Sequence, residues 1–310
     1  MKKIIPFICL TIILGGCSMT TKENEIEARE NDKVILGAGD VKLNAENFMR
    51  VQDYNGDGYT LQNGEQTKDI IAGKHDIIEN AVKSFFKSKH RTEVKVHNIV
   101  PAEEAASVFV ESVGTPHFYT YAVVPIDKEN KTIKEDAIFT QEGEVESAIT
   151  TALYAMMYEE EFANLDAYLN ELSSKYPITG LPIEAVEKAG GNGYSSSYYF
   201  LDTTVDYLFE PYKAYIENPS INKQELKEKF SSFFDPEWLT IAITLYMSEE
   251  DVDPDEELYD KILSDIESMD NLPPGAYSLV LHDNLINFQY ASGSKKSSIN
   301  KTMMESIIKE

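Results

Sequence analysis

Between residues 67 and 89, Ile70, Ile71, Ile77, Ile78, Ala81, Val82, Phe85 and Phe86 recur every three or four positions among polar neighbours. That spacing lays one apolar stripe along an α-helix. The period then changes. Over 93–100, Val94 and Val96 alternate with Glu93, Lys95 and His97, and the stretches 106–113 and 117–126 are rich in Val, Phe and Tyr. Three strands are expected there. Their connectors, Pro101-Ala102-Glu103-Glu104 and Gly114-Thr115-Pro116, are short. Strands joined so tightly pair antiparallel, giving a meander packed on the preceding helix.

Helical spacing returns over 144–160, through Val145, Ile149, Ala152, Leu153 and Met156, and over 164–175, through Leu165, Tyr168, Leu169 and Leu172. Pro182 starts a short helix that Gly190-Gly191 stops. Residues 203–218 read as a helix bent near Pro211, and 222–233 as another. From 238 to 247, Leu239, Ile241, Ile243, Leu245 and Met247 alternate with Trp238, Thr240, Ala242, Thr244 and Tyr246. The period of two predicts a strand. Asp253, Pro254 and Glu256 form a helix start with a capping box. Leu258, Tyr259, Ile262, Leu263, Ile266 and Met269 are the core face of that helix. After a turn at Leu272-Pro273-Pro274-Gly275, 277–281 and 285–289 read as a hairpin around His282-Asp283-Asn284. The expected class is α+β: an antiparallel sheet, meander plus C-terminal strands, packed with several helices. Residues 46–290 make one domain, or two subdomains divided near 128–143. Residues 291–310 are a loose Ser- and Lys-rich tail with a helical turn near 303–308.

The start of the chain follows different rules. Met1-Lys2-Lys3 is basic, residues 4–14 form an eleven-residue run that is apolar except at Pro6 and Thr11, and Gly15-Gly16 precedes Cys17. This is the order of a secretory signal peptide, and the run is too short for the roughly 20 residues that span a bilayer. Leu14-Gly15-Gly16-Cys17 resembles the lipobox of bacterial lipoproteins. The resemblance implies cleavage between Gly16 and Cys17 and a diacylglyceryl group on the Cys17 sulfur; the new amine of such lipoproteins is often, not always, acylated. Two or three acyl chains, at ~0.8 kcal/mol per buried CH₂, suffice for stable anchoring. Residues 1–16 are then the signal peptide, and 17–45 the lipidated cysteine and a flexible tether. The tether is polar and charged, with a short strand at 33–36 or 41–43, and about 28 residues of it reach ~30 Å. The expected location is the extracytoplasmic face of the cell membrane.

Charge narrows the partners. The chain carries 28 basic and 53 acidic residues, a net charge of −25. Loss of Lys2 and Lys3 on cleavage leaves 26 against 53, a net −27. Nucleic acid and anionic lipid surfaces repel such a body, so the membrane is reached only through the lipid. The sole cysteines are Cys9 and Cys17. The mature body therefore has no disulfide and no thiol nucleophile, and relies on its core.

Candidate chemistry is sparse. Asp53, Asn55, Asp57 and Gly58 fit the first half of an EF-hand loop, but its twelfth position is Gly64 and the acid falls one later, at Glu65. A surface Asx-Gly turn is the simpler account. No metal and no cofactor is expected. His75, His90, His97, His117 and His282 show no paired ligand spacing and read as surface or structural residues. His117, Tyr119 and Tyr121 share a strand face and are candidates to line a ligand pocket, although half-buried packing is the more frequent reason for such a face. No Gly-x-Ser-x-Gly elbow is present, and Gly190-Gly191-Asn192-Gly193 follows a helix and lacks the Lys-Ser/Thr of a phosphate loop. No catalytic residue is assigned. The eleven acids of 249–270, against Lys261 alone, are a solvated face by default and a basic-partner surface otherwise.

Several longer stretches carry a resemblance: 96–100 (VHNIV), 107–127 (SVFVESVGTPHFYTYAVVPID), 154–162 (YAMMYEEEF), 190–199 (GGNGYSSSYY) and Leu272-Pro273-Pro274-Gly275. From about Gln52 onwards the chain resembles a lipoprotein family of low-GC Gram-positive bacteria, family 1672 of the domains of unknown function. The resemblance implies a surface lipoprotein and supplies no activity. The expected function is a non-catalytic binding or interaction protein of the cell envelope. The alternatives are an envelope enzyme with acids assembled from distant segments and a solute-capturing lipoprotein. The second lacks the strand–helix alternation of a two-lobed binder.

Overall fold

The computed structural model describes residues 47–203, 209–292, 297–302 and 306–310. Cys17, Gly16 and the tether lie outside them. In chain order the elements are β1 (Phe48–Arg50), α1 (Lys68–Ala72), α2 (His75–Lys89), β2 (Val94–Pro101), β3 (Ala105–Ser112), β4 (Tyr119–Asp127) and β5 (Thr132–Ile133). Then come α3 (Glu144–Met157), α4 (Glu159–Lys175), β6 (Ile178–Thr179), α5 (Ile183–Ala185) with a π-helical turn at Val186–Gly190, and β7 (Tyr199–Thr203). The chain closes with α6 (Glu210–Glu217), α7 (Lys223–Phe230), β8 (Leu239–Met247), α8 (Glu256–Ser268), β9 (Gly275–His282), β10 (Leu285–Asn287), β11 (Ser298–Ile299) and β12 (Ile307–Lys309).

The expected meander is present. Strands β2-β3-β4-β5 run antiparallel in sequence order, and α2 packs on β2 and β4. The helical stripe ahead of it folds as two helices, because Gly73 ends α1. Glycine costs about 1 kcal/mol in a helix interior and favours its end. Ile78, Val82 and Phe86 of α2 are buried. Helix α3 is buried almost all round, through Val145, Ala148, Ile149, Ala152, Leu153, Tyr154 and Met157. Such a helix belongs inside a core, and α3 touches β4 of the meander and β7 of the second sheet.

The second sheet has the order β11-β9-β8-β6, with β12 also on β9 and β7 also on β8. Its pairings are antiparallel except β8–β9, which is parallel and crosses over through α8. Here the structure corrects four expectations. Residues 277–289 do not form a hairpin: β9 pairs with β8, whereas β10 pairs with β1. The Asp283 carboxylate fixes the parting of the two strands by accepting from Leu285 N at 3.0 Å and Ser297 N at 3.2 Å. Of the helix expected over 203–218, Thr203 ends strand β7, 204–208 lie outside the described residues and 210–217 are helical; Pro211 stands in the first turn of α6 rather than at a bend, and its missing N–H costs nothing there. The N-cap of α8 is Asp255, whose Oδ1 accepts from Leu258 N at 3.0 Å, while Asp253 accepts from the Ser297 hydroxyl. The C-terminal residues 298–299 and 307–309 are strands on β9 rather than a loose tail or a helical turn. Residues Phe48–Glu310 form one compact unit.

Candidate functional site

The meander carries a defect that gathers charge. Lys95 faces Glu111 and Val96 faces Val110, but Asn98 faces Phe109, so His97 is an extra residue in β2. Such a bulge re-aims a side chain. Glu111 also lies opposite Tyr119 of β4. The segment after α5 closes over this face. Gly193 and Tyr119 exchange backbone hydrogen bonds of 2.8 and 2.9 Å, and Asn98 Nδ2 donates to the Lys188 carbonyl at 3.0 Å. The π-helical turn thereby presents Glu187 to His97.

The His97 side chain is only 6% exposed, and a carboxylate stands at each ring nitrogen. Nε2 is 2.7 Å from Glu111 Oε2, and Nδ1 is 3.3 Å from Glu187 Oε2. The other Glu111 oxygen is 3.8 Å from His117 Nδ1, and Lys95 Nζ approaches Oε2 at 3.9 Å. Burial, then the charges of Glu111 and Glu187, push the Tyr119 hydroxyl up to about 12. His97, Glu111 and Glu187 each offer a ligand atom within 4.8 Å of the others. A neutral imidazole donates from one nitrogen only, so the ring and its two carboxylates form an arrangement that a cation can bridge.

His117 also borders a half-open cavity of about 280 Å³. Apolar Ala152, Ala155, Met156 and Phe162 line it, with Glu159 and Asp166 as its acids. Burial raises the Asp166 carboxyl above the usual carboxylate range, while the Tyr199 hydroxyl donates to it at 2.9 Å. The space is apolar in body and acidic at one side.

Of the three pocket candidates, His117 lines the cavity. Tyr119 is buried behind it, ring against ring at 5.1 Å, and Tyr121 packs with Phe109 at 6.0 Å; neither is a lining residue. His117 also precedes β4 rather than lying on it. The candidate calcium residues do not converge. Asp57 takes Lys188 Nζ at 2.8 Å and Asn55 Nδ2 at 3.0 Å, contacts that hold its carboxyl below the usual range. Asp53 stands 4.0 Å from Arg50, and Glu65 lies in a separate helical turn at Gly64–Gln66. The Asp57 N–H to Asn55 Oδ1 bond, 2.9 Å, is that of an Asx turn. Sequence reasoning left His97 on a polar strand face. The signal available was Glu111, a lone charge within the apolar run of β3.

The comparisons agree with this architecture. A crystal structure of a DUF1672 family protein from Staphylococcus aureus subsp. aureus Mu50 is similar in fold, with a TM-score of 0.69 at 20% identity, covering 85% of this chain and 98% of that one. No curated protein matches the chain. The family described as "Protein of unknown function (DUF1672)" matches residues 42–309. The chain therefore belongs to the DUF1672 family.

Proposed function

We propose that this protein is a lipid-anchored lipoprotein on the extracytoplasmic face of the cell membrane that binds a small amphiphilic cation without transforming it. The observation that carries the binding role is the cavity between the His117 turn and helices α3 and α4, with Asp166 on its wall. An apolar pocket with a few convergent polar groups is the usual form of a small-molecule site. A carboxyl raised by burial regains its charged form most readily when a cation is placed beside it, so an amine head with an apolar body suits the lining. The lipobox at residues 14–17 supports the anchor. Among the described residues no helix is long and apolar enough to cross a membrane. The non-catalytic reading is supported by how nearby hydroxyls are used. Ser195 donates to the Asn192 carbonyl, Ser196 to that of Tyr199, and Ser147 pairs with Thr203.

The test is a thermal-shift series on the full-length chain in mild detergent, with small apolar amines and carboxylates of matched shape. Amines should raise the melting temperature and be recovered unchanged. Ala163→Trp, at the exposed rim of the cavity, should remove the effect. Equal response to amines and carboxylates, or an undiminished response in Ala163→Trp, refutes the reading.

A further inference from the structure

We infer that His97, Glu111 and Glu187 form a binding site for one divalent transition-metal ion of the zinc type. The site is distinct from the cavity, although His117 borders both. Its residues come from three segments that only the tertiary fold brings together: the bulge of β2, the paired strand β3 and the π-helical turn after α5. Bulges and π-turns both concentrate at functional sites.

The electrostatics ask for a cation. Two carboxylates, each about four-fifths shielded, flank one buried imidazole, and the nearest lysine ammonium, Lys95, is 61% exposed at 3.9 Å. A singly protonated ring leaves one carboxylate facing a nitrogen lone pair. A doubly protonated ring offsets one of the two negative charges. A divalent ion offsets both, with the ring neutral.

The geometry accepts it with a small parting of two ligands and a swing of the third. Nε2 of His97 and Oε2 of Glu111 are 2.7 Å apart. An ion about 2.0–2.1 Å from each, in tetrahedral geometry, needs them to part by roughly 0.6 Å. Glu187 Oε2 stands 3.3 Å from the other ring nitrogen, Nδ1, so it must swing round the ring edge to join an ion held by Nε2 and Glu111; the three ligand atoms already lie within 4.8 Å of one another. Water fills the remaining position. An imidazole ligand favours zinc and its first-row neighbours over magnesium and calcium, which prefer all-oxygen shells.

The experiment uses the full-length chain in mild detergent, titrated with Co²⁺ and then Zn²⁺ against Mg²⁺ at equal concentration. Magnesium controls for screening of the acidic surface. Cobalt should bind at one equivalent with visible absorption bands that one equivalent of zinc abolishes. Glu111→Gln keeps the size of the side chain and a hydrogen-bond acceptor, and should lose the bands. Glu187→Gln should weaken binding at least tenfold. His75→Asn, at the exposed start of α2, should leave binding intact. The absence of visible bands in the wild-type protein overturns the inference without recourse to any variant. Bands that persist in Glu111→Gln, or that His75→Asn removes, overturn it equally. Failure of amines to bind the cavity has no bearing on these readouts.

Discussion

Gly191 lies against Tyr119 with no room for another atom. A Cβ on Gly191 would stand 2.6 Å from the Tyr119 Cβ and 2.9 Å from the Val186 carbonyl oxygen. The Gly191 φ of −82° is open to any residue, so the requirement is steric alone. Neither obstacle is the free end of a flexible side chain. Gly191→Ala must therefore lift the 186–193 segment off the meander, against the two Tyr119–Gly193 hydrogen bonds. Overpacking of this kind costs about 1–3 kcal/mol. A lower urea midpoint with an unchanged slope is expected. An unchanged midpoint would mean that the segment is not seated this tightly.

Asp57 and Lys188 give the opposite expectation, a small effect. Asp57 is exposed and its contact to Lys188 bridges two surface segments. Exposed pairs contribute about 0–1 kcal/mol. Lys188→Met should lower stability within that range. Calcium should then raise the melting temperature no more than magnesium does, in wild type and variant alike, because Asp53 and Glu65 remain apart. A calcium-specific rise of several degrees that Asp53→Ala removes would contradict this.

Legibility in the sequence followed how local the determining contacts were. The meander was readable because its connectors are short and its strands alternate, and β8 because Leu239 to Met247 keep a strict period of two. The C-terminal hairpin failed because 277–281 and 285–289 each carry strand signals but say nothing about partners. β9 finds β8 in parallel and β10 finds β1, which lies 239 positions earlier at the Phe48–Asn287 contact. The candidate site failed for a related reason. The bulge at His97 is a property of the register between two strands, and Glu187 reaches it only through a contact between segments. His117 borders the cavity from the turn before β4, not from the strand face on which the sequence grouped it with Tyr119 and Tyr121. Tyr121 shared that strand pattern but is committed to packing on Phe109.

The proposed anchoring makes Cys17 the sole lipid acceptor, since Cys9 falls within the proposed signal peptide, residues 1–16. Cys17→Ala should abolish incorporation of an alkyne-tagged fatty acid. The melting temperature of the body should stay the same, since the family match begins at residue 42. Labelling that survives in the variant would place the lipid elsewhere.

A buried histidine, His90, and a half-buried one, His282, contribute to the response to acid. His90 packs among Phe85, Phe86 and Tyr212, with Nδ1 3.1 Å from the Tyr212 hydroxyl, and burial holds its pKa down to about 4. His282 packs on Tyr246 at 5.1 Å and is likewise pushed down to about 4 by burial, although the charge of Asp283 opposes the shift. In the unfolded chain both titrate near 6.5. Between pH 6.5 and 4 the unfolded state therefore binds more protons, and stability rises with pH. The contribution is complete above about 6.5 and lost progressively as pH falls towards 4, by up to about 3 kcal/mol for each histidine. Glu144, Asp166 and Asp202 act in the opposite sense, since burial raises their carboxyls and favours the protonated folded state as pH falls. Comparison of wild type with His90→Asn separates the two, because those acids are common to both proteins. The variant should be less stable at pH 7 through lost packing, but its stability should fall less steeply between pH 6.5 and 4. Parallel stability curves for the two proteins across that range would show that His90 does not titrate as a buried neutral ring.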